Sequence, residues 1–282
     1  VVDDSAAQPP FGSFDTPLNG ATNVAGSIAV TGWALDDVEV DRVEIWREVV
    51  TGETTIPWHS PFGPGANDPR EGKIFIANAL FIAGSRTDVE AAFASYPFAY
   101  RAGWGYLLLT QGLWMQGNGP FTLSAFAFDR EDRITTLGTK TITVDNAHAV
   151  KPFGALDTPS YGGTVSGAFW NYGWALTPNA STACTIEDGN VLVSVDSGPL
   201  ETVSYGGFRT DIAASFPGFS NGNNSGGAYY LDTATLSNGT HQIGWLVTDN
   251  CGRTDGIGSR FFTVLNGSRD TVPATAVDEH GP

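Results

Sequence analysis

The stretch PFGSFDTPLNGATNVAGSIAVTGWAL at residues 10–35 returns as PFGALDTPSYGGTVSGAFWNYGWAL at residues 152–176. Matches in this order, from Pro-Phe-Gly through Asp-Thr-Pro to Gly-Trp-Ala-Leu, identify an internal duplication. The chain is therefore expected to contain two copies of one folding unit.

The duplication continues to the end of each copy. Three further pairs of segments match in the same order: 86–89 with 209–212, 118–119 with 238–239, and 143–146 with 263–266. The repeat predicts an N-terminal extension at 1–9, domains at 10–148 and 149–267, and a C-terminal tail at 268–282, with a long insertion at about 52–84 in the first domain.

Apolar residues alternate with polar ones along several segments. Phe121, Leu123 and Ala125 are one such series, and alternation of this kind predicts strands with one wet face. Asn-Gly, Asp-Gly and Gly-Gly turns at short intervals are typical of a Greek-key sandwich. The predicted fold class is all-β, as two tandem immunoglobulin-like Greek-key β-sandwich domains, with a short helix at 88–94 and its counterpart at 211–215.

The motif order resembles an immunoglobulin-like domain found in secreted proteins of environmental bacteria such as acidobacteria. It runs Asp-Thr-Pro, Gly-x-x-Val-x-Gly, Gly-Trp-Ala, Arg-x-Asp-Val and a terminal Thr-Val-x-Asn. The second copy is the closer match, because it keeps Leu-Asp-Thr at 231–233 and Asn-Gly-Thr-His at 238–241. The resemblance implies this fold and an extracellular setting, and it implies no defined activity.

Charge and hydropathy restrict the partners. The formal net charge is −16, and a surface of that sign repels phosphate backbones and anionic headgroups, which argues against nucleic acid and membrane surfaces. No segment approaches the roughly 20 apolar residues that span a bilayer. Because the sequence begins at Val1 rather than Met, we expect an extracellular or cell-surface chain after signal-peptide removal, although a trimmed chain would begin in the same way.

Residues kept in both copies are expected to serve the fold. Trp33 and Trp174 are interpreted as buried strand tryptophans packed over a glycine, and the Asn-Gly pairs at 118–119 and 238–239 as hairpin turns. The repeated Arg-x-Asp is interpreted as a loop clamp, with a functional site as the alternative.

Only the second copy contains cysteines. Cys184 follows the strand of Trp174 and Cys251 lies in a hairpin loop, and these two loops can meet at one end of a Greek-key sandwich. We predict a Cys184–Cys251 disulfide that stabilises the domain by roughly 4 kcal/mol on the chain-entropy model. Two separately buried thiols are the alternative.

The first copy carries acidic residues in the corresponding loops. Gathered carboxylates are what Ca²⁺ requires, so these residues predict a Ca²⁺ site that ties the loops, with a solvated acidic rim as the alternative. No other cofactor is indicated. The predicted ligands are Asp36, Asp37, Asp41, Asp129, Glu131 and Asp132.

Aromatic residues are concentrated in the insertion and just after it. A long aromatic loop is a candidate contact surface for sugar rings or for a protein, and a satellite core under the loop is the alternative. The predicted ligand or interface residues are Trp58, His59, Phe62, Tyr100, Trp104, Tyr106 and Trp114.

The sequence contains none of the common catalytic motifs. Its histidines, His59, His148, His241 and His280, lie in unrelated contexts, and no HExxH, GxSxG, GxxxxGK[ST] or CxxC spacing occurs. We therefore expect no enzymatic activity, the alternative being a hydrolase with a carboxylate pair.

The expected function is that of an extracellular structural or adhesive protein, a self-assembling surface or filament subunit that uses its terminal extensions. Its partners would be copies of itself or other surface proteins. A carbohydrate-binding protein that uses the aromatic residues of the first copy is the alternative. Four N-x-Ser/Thr sequons are interpreted first as exposed loops rather than as glycosylation sites: Asn179, Asn223, Asn238 and Asn266.

Overall fold

A computed structural model describes residues 7–61, 68–178 and 184–267. Strand accounts for 48% of these described residues and helix for 12%, which confirms the all-β prediction of two tandem immunoglobulin-like domains. The elements of the first copy are called domain 1 below, and those of the second copy domain 2.

Domain 1 consists of two four-stranded antiparallel sheets. Its strands are β1 (Phe11–Thr16), β2 (Ser27–Leu35), β3 (Val40–Glu48), β4 (Lys73–Asn78), β5 (Leu80–Phe81), β6 (Gly103–Leu109), β7 (Asn118–Asp129) and β8 (Ile134–Asp145). The orders are β1-β2-β6-β5 and β4-β3-β7-β8.

Domain 2 repeats this plan, with one added parallel strand at a sheet edge. Its strands are β9 (Phe153–Leu156), β10 (Thr164–Val165), β11 (Ala168–Leu176), β12 (Val191–Val195), β13 (Glu201–Thr202), β14 (Ser204–Gly207), β15 (Gly226–Asp232), β16 (Gly239–Thr248) and β17 (Thr254–Val264). The orders are β14-β15-β11-β9 and β10-β17-β16-β12-β13.

The core of each domain lies between its two sheets, as the alternating pattern predicts. Val30 of β2 is fully buried, and Leu123 and Ala125 of β7 face it from the other sheet within one cluster. Val193 of β12 and Ile243 of β16 belong to the equivalent cluster of domain 2. Burial of such side chains contributes roughly 1.5–3 kcal/mol each and is the main force that holds the sheets together.

Gly32 and Gly173 each make room for a tryptophan at the centre of the core. The sequence suggested their neighbours Trp33 and Trp174 for this role, but other tryptophans fill the space. A Cβ at Gly32 would lie 2.5 Å from Cζ2 of Trp104 on the next strand. A Cβ at Gly173 would lie 2.9 Å from Cη2 of Trp245, which comes from the opposite sheet. The two domains therefore fill the same space from different sheets.

Trp33 and Trp174 lie instead on the outer faces of their sheets, beneath short helices. Trp174 packs against Phe216 at a ring-centroid distance of 5.2 Å, and Trp33 packs against Phe93 at 5.4 Å. Both predicted helical turns are present, and a further irregular turn precedes β7. The helices are α1 (Thr87–Ala92), α2 (Trp114–Gly117) and α3 (Thr210–Ser215).

The repeated Arg-x-Asp forms a loop clamp in both domains. Nη1 of Arg86 donates to Asp15 of the Asp-Thr-Pro motif at 2.6 Å, while Nε and Nη2 of Arg86 donate to Asp88 at 2.9 and 2.8 Å. Arg209 binds its two partner aspartates in the same way. The clamp joins α1 and α3 to the first strand of each domain, which favours the structural interpretation.

The repeated asparagines latch the end of each domain, and the Asn-Gly pairs are not hairpin turns. Asn118-Gly119 begins β7, and Asn238 directly precedes β16, which begins at Gly239; the two glycines have φ of 106° and 136°. The Asn238 side chain binds the backbone N–H and C=O of Asn266. The side-chain amide of Asn266 is also hydrogen-bonded within the domain. Because the fold uses both amides, the sequon asparagines Asn238 and Asn266 are interpreted as structural positions.

The extra residues of domain 1 lie between β3 and β4, where the structure describes residues 49–61 and 68–72. The end of the predicted insertion is not extra, because β4 and β5 have counterparts in β13 and β14. The loop is anchored by Glu53, whose carboxylate accepts two bonds from Arg47 at 2.6 and 2.5 Å. These bonds from Arg47 lower the pKa of Glu53 to about 2.

The domains touch through one face of domain 1. Leu107 and Leu109 point outward from β6, and Leu109 packs with the cluster of Phe153 and Trp174. Cδ2 of Leu107 lies 3.7 Å from the Cβ position of Gly258 in β17. The outer face of the β1-β2-β6-β5 sheet is therefore the side on which domain 2 sits.

Candidate functional site

Three regions carry the residues selected from the sequence: the loop end of domain 2 with its cysteines, the loop end of domain 1 with its carboxylates, and the aromatic residues. Cys184 and Cys251 are joined by a disulfide, with Cα atoms 5.6 Å apart. The bond links the loop after β11 to the β16–β17 loop, as predicted.

The acidic end of domain 1 is the positional counterpart of this disulfide. Asp36 directly follows the Gly-Trp-Ala-Leu of β2, where domain 2 has Thr177. In the Asp-x-Glu-x-Arg segment at 129–133, Glu131 occupies the place of Cys251. Both domains keep the aspartate and the arginine of this segment.

Three of the six predicted metal ligands converge. Asp36, Asp129 and Glu131 each offer a carboxylate oxygen, and these atoms all lie within 4.8 Å of one another. Asp41 is paired instead with Arg42 and Arg130, at 3.0 and 3.2 Å.

The other two predicted ligands lie outside the group. Asp37 accepts a bond from the Gln8 backbone. Asp132 occupies a left-handed loop position at φ 61°.

The carboxylates of this group differ in the hydrogen bonds that their oxygen atoms accept. Asp129 accepts backbone N–H bonds from Glu131 and Arg133 through Oδ1, whereas Nε of Arg133 lies 2.8 Å from its buried Oδ2 without the alignment of a hydrogen bond. Asp36 accepts the N–H groups of Val38 and Glu39 through Oδ2. Its Oδ1 is buried and has no hydrogen-bond partner among the described residues.

The predicted aromatic surface of domain 1 does not form. Trp104 is 2% exposed at the centre of the core, because the inner positions of β6 point between the sheets. Trp114 and Tyr106 also pack against this core, and Tyr106 approaches Tyr161 of domain 2 with ring centroids 6.0 Å apart. Among the tryptophans and tyrosines of the predicted set, all of which are described, only Tyr100 is exposed.

The long loop covers a satellite core, which was the alternative to a contact surface. Trp58 packs on Trp46 of the outer β3 face with ring centroids 5.8 Å apart. The guanidinium of Arg70 lies 4.6 Å above the Trp58 ring. His59 is exposed and bonded to Glu71, and Phe62 lies outside the described residues.

An exposed aromatic cluster lies elsewhere, on the outer face of domain 2. Trp170, Tyr172 and Tyr230 are 50%, 45% and 50% exposed. Trp170 and Tyr230 are direct partners in the β11–β15 register, and the Trp170 and Tyr172 rings are nearly parallel, at 20° and 6.3 Å. These three residues are called the aromatic face.

The signal for this face was present in Ala-Phe-Trp-Asn-Tyr-Gly-Trp at 168–174. Its alternate positions place Trp170 and Tyr172 on the side opposite to Asn171, which is buried.

A groove of about 540 Å³ adjoins the aromatic face. Tyr172 and the exposed ring of Phe208 form two of its walls, and Arg209 of the clamp lies at one end. Its floor is nearly bare backbone. The small residues that line it are Gly173, Gly207, Gly226, Gly227 and Ala228.

The histidines of the described residues lie in separate places. His148 is exposed beside Asp145. His241 is buried, with Nδ1 at 2.5 Å from Asp196 and Nε2 at 2.8 Å from the carbonyl oxygen of Ser237. Burial lowers the pKa of His241, but the bonds to Asp196 and Ser237 raise it by more, so that it lies above its ordinary value.

Across the residues that the structure describes, no helix has the length and apolar character needed to cross a bilayer.

Of the two remaining sequons, the one at Asn179 lies outside the described residues. At the other, the backbone carbonyl of Asn223 accepts a hydrogen bond from the backbone N–H of Arg209 at 2.8 Å.

The chain matches no family model. Halomucin from Haloquadratum walsbyi is 26% identical over 234 residues, which is 78% of this chain. The chain spans 2% of the length of that relative.

Similar solved structures include the following two. The fibronectin(III)-like modules of Clostridium thermocellum CbhA are 14% identical, with a TM-score of 0.26, over 90% of this chain and 94% of that chain. The D00-D0 domain of intimin is 10% identical, with a TM-score of 0.23, over 89% of this chain and 99% of that chain. Likeness at this level carries no argument about function.

Proposed function

We propose that this chain is a non-catalytic extracellular structural protein whose copies associate head to tail, with the aromatic face of domain 2 as the docking surface. The disulfide supports an oxidising, extracellular location, in keeping with the secreted bacterial proteins that the motifs resemble. The occupant we assign to the face is domain 1 of a second copy.

Positional equivalence between the two domains carries the proposal. The Trp170–Tyr230 pair occupies the register position that Ala29 and Leu107 occupy in domain 1. Leu107 lies against β17 of the following domain. One internal contact of this chain therefore already uses the equivalent face to hold an immunoglobulin-like domain.

The second copy would supply the matching surface. Domain 2 presents β9 and β17 to domain 1, and their counterparts in domain 1 are β1 and β8. A contact between the aromatic face of one copy and β1 and β8 of the next joins two different surfaces. Such a heterologous contact repeats without closing unless its rotation happens to form a ring, so it builds filaments or rings.

Half-exposed aromatic rings are suitable anchors for such a contact. Trp and Tyr carry a large share of the binding energy in protein interfaces, and a cluster of three on a flat sheet is more than the isolated exposed residues normal for a monomer.

Sedimentation velocity over a range of protein concentrations tests the association. We expect the wild-type chain to form larger species as concentration rises, and the triple variant Trp170→Ala, Tyr172→Ala, Tyr230→Ala to remain monomeric. The matched control is Phe98→Ala with Tyr100→Ala, an aromatic pair of domain 1 that is 43% and 51% exposed. A wild-type chain that stays monomeric, or a triple variant that assembles normally, would contradict the proposal.

Glycan binding is a second candidate, favoured by the groove beside Tyr172. Parallel rings at Trp170 and Tyr172 suit the stacking of sugar rings, and the glycine floor admits a ligand close to the backbone. A glycan array read with the same variants separates the candidates. Monomers that bind a glycan through Trp170 and Tyr172 support this candidate and exclude assembly through the same face.

A further inference from the structure

The acidic end of domain 1 has the dimensions of a cation site. The oxygen atoms offered by Asp36, Asp129 and Glu131 all lie within 4.8 Å of one another. Calcium binds oxygen at about 2.3–2.6 Å, so two ligands of one ion are at most about 5 Å apart. All three carboxylates are therefore close enough to share a single ion.

A buried oxygen without a partner is the second observation. Asp36 is 1% exposed, and its Oδ1 receives no hydrogen bond from the described residues. An ionised oxygen that leaves water without gaining a partner is strongly destabilising unless a cation or a donor meets it. A divalent cation bound by the three carboxylates would supply such a partner.

The charge of this end differs between the domains. In domain 2 the corresponding side chains are Thr177, Asp249, the disulfide-bonded Cys251 and Arg253, so one carboxylate faces one guanidinium. In domain 1 the group holds three carboxylates, and the guanidinium of Arg133 pairs with two of them, Asp129 and Glu131. The excess is two negative charges, which one divalent cation neutralises.

Neighbouring arginines do not remove this excess. Arg101 and Arg130 both pair with Glu39, the latter at 2.8 Å. Arg130 also reaches Asp41. These guanidinium groups are thus occupied by carboxylates outside the group.

We propose that Asp36, Asp129 and Glu131 bind one Ca²⁺ ion. An all-oxygen ligand set on two loops suits Ca²⁺, which accepts irregular geometry and completes its shell with water, better than it suits Mg²⁺, which demands a near-ideal octahedron. The ion ties the loop after β2 to the β7–β8 loop. The disulfide ties the corresponding two loops of domain 2.

The ion also acts on the start of the chain. Arg133 donates through Nη1 to the carbonyl of Ala7, and the N–H of Gln8 donates to Asp37 at 3.1 Å. Residues 7–8 therefore lie at the same end, and we expect Ca²⁺ to order them together with the loops.

Isothermal titration of CaCl2 into the full chain, freed of metal by chelation and dialysis, tests the site. We expect one Ca²⁺ per chain, a Tm that rises in millimolar CaCl2 relative to EDTA, and a smaller rise in MgCl2. Asp36→Thr, which installs the domain 2 residue, should weaken Ca²⁺ binding at least tenfold. Asp132→Asn, an acidic neighbour outside the group, should bind like the wild type.

A second variant guards against a folding defect in Asp36→Thr. Glu131→Gln removes one ligand at a less buried position and should also weaken Ca²⁺ at least tenfold. A wild-type chain that gives no heat with CaCl2 and the same Tm in CaCl2 and EDTA would overturn the site, as would wild-type affinity in either ligand variant.

Discussion

In domain 1 the loops after β2 and β7 meet through Asp36, Asp129 and Arg133, whereas in domain 2 a disulfide joins the corresponding loops. Both domains keep the Asp-Arg pair, as Asp129 with Arg133 and Asp249 with Arg253. The pair therefore belongs to the fold. The positions beside it differ, since domain 2 has its disulfide there and domain 1 has the carboxylates for which a Ca²⁺ site is proposed.

The central tryptophans show the same freedom inside the core. Trp104 stands where domain 2 has Gly227, and Trp245 stands where domain 1 has Ala125. A large residue on one sheet has been exchanged for a large residue on the other, so the filled volume is similar. Cores tolerate such exchanges when total volume is kept.

The exchange of the central tryptophan between the two sheets also changes whether its indole N–H has a hydrogen-bond acceptor. Nε1 of Trp245 donates to buried Asn171 at 2.6 Å. Nε1 of Trp104 has no acceptor among the described residues, and Val30 occupies the position of Asn171. Domain 2 thus relies on a buried hydrogen bond that domain 1 does without.

Among the changes considered, removal of the disulfide should have the largest effect on the difference in unfolding free energy between the two domains. Cys184→Ala with Cys251→Ala should lower the unfolding free energy of domain 2 by about 4 kcal/mol, since a long loop is no longer closed in the unfolded chain. Chemical denaturation, with hydrogen exchange used to monitor the unfolding of each domain separately, measures this loss of unfolding free energy. Domain 1 should be unaffected, and equal losses in both domains would contradict the account.

Loss of the buried bond should come next. Asn171→Val leaves the Trp245 N–H unpaired and should cost domain 2 about 1–3 kcal/mol. The same change in a Trp245→Phe background should cost less, because no indole N–H is then left unsatisfied. A double-mutant cycle by denaturant unfolding measures the coupling, and strictly additive costs would argue against it.

A pH dependence confined to domain 2 should be the smallest effect. Because the folded pKa of His241 is raised, its stabilising contribution is complete below about pH 6.5 and is lost as pH rises through the folded pKa. His241→Phe installs the equivalent residue of domain 1, Phe121, and should flatten the stability profile above pH 6.5. Denaturant unfolding from pH 6 to 9 checks this, and an unchanged slope would show that His241 is not its source.

The fold could be predicted well from the sequence, because both the duplicated motifs and the period-two alternation can be recognised within short stretches of sequence. The Cys184–Cys251 bridge was also predictable, since the topology brings the two loops to one end. The aromatic residues were not assigned correctly. Whether Trp104 or Trp170 is exposed depends on which face another element covers, and that is decided by tertiary packing.

The acidic group shows the same limit. Six carboxylates were candidates from the sequence, and the turn of each loop brings Asp36, Asp129 and Glu131 together while it directs Asp37 and Asp41 to other partners. Loop geometry of this kind is set by hydrogen bonds between distant residues, for which composition gives no signal.

Hydroxyl-radical footprinting of the wild-type chain at low and high concentration tests most directly whether the aromatic face joins one copy to the next. Assembly should protect Trp170, Tyr172 and Tyr230 from oxidation at high concentration, while Tyr100 is oxidised equally throughout. Oxidation of the three residues that does not change with concentration would contradict head-to-tail assembly.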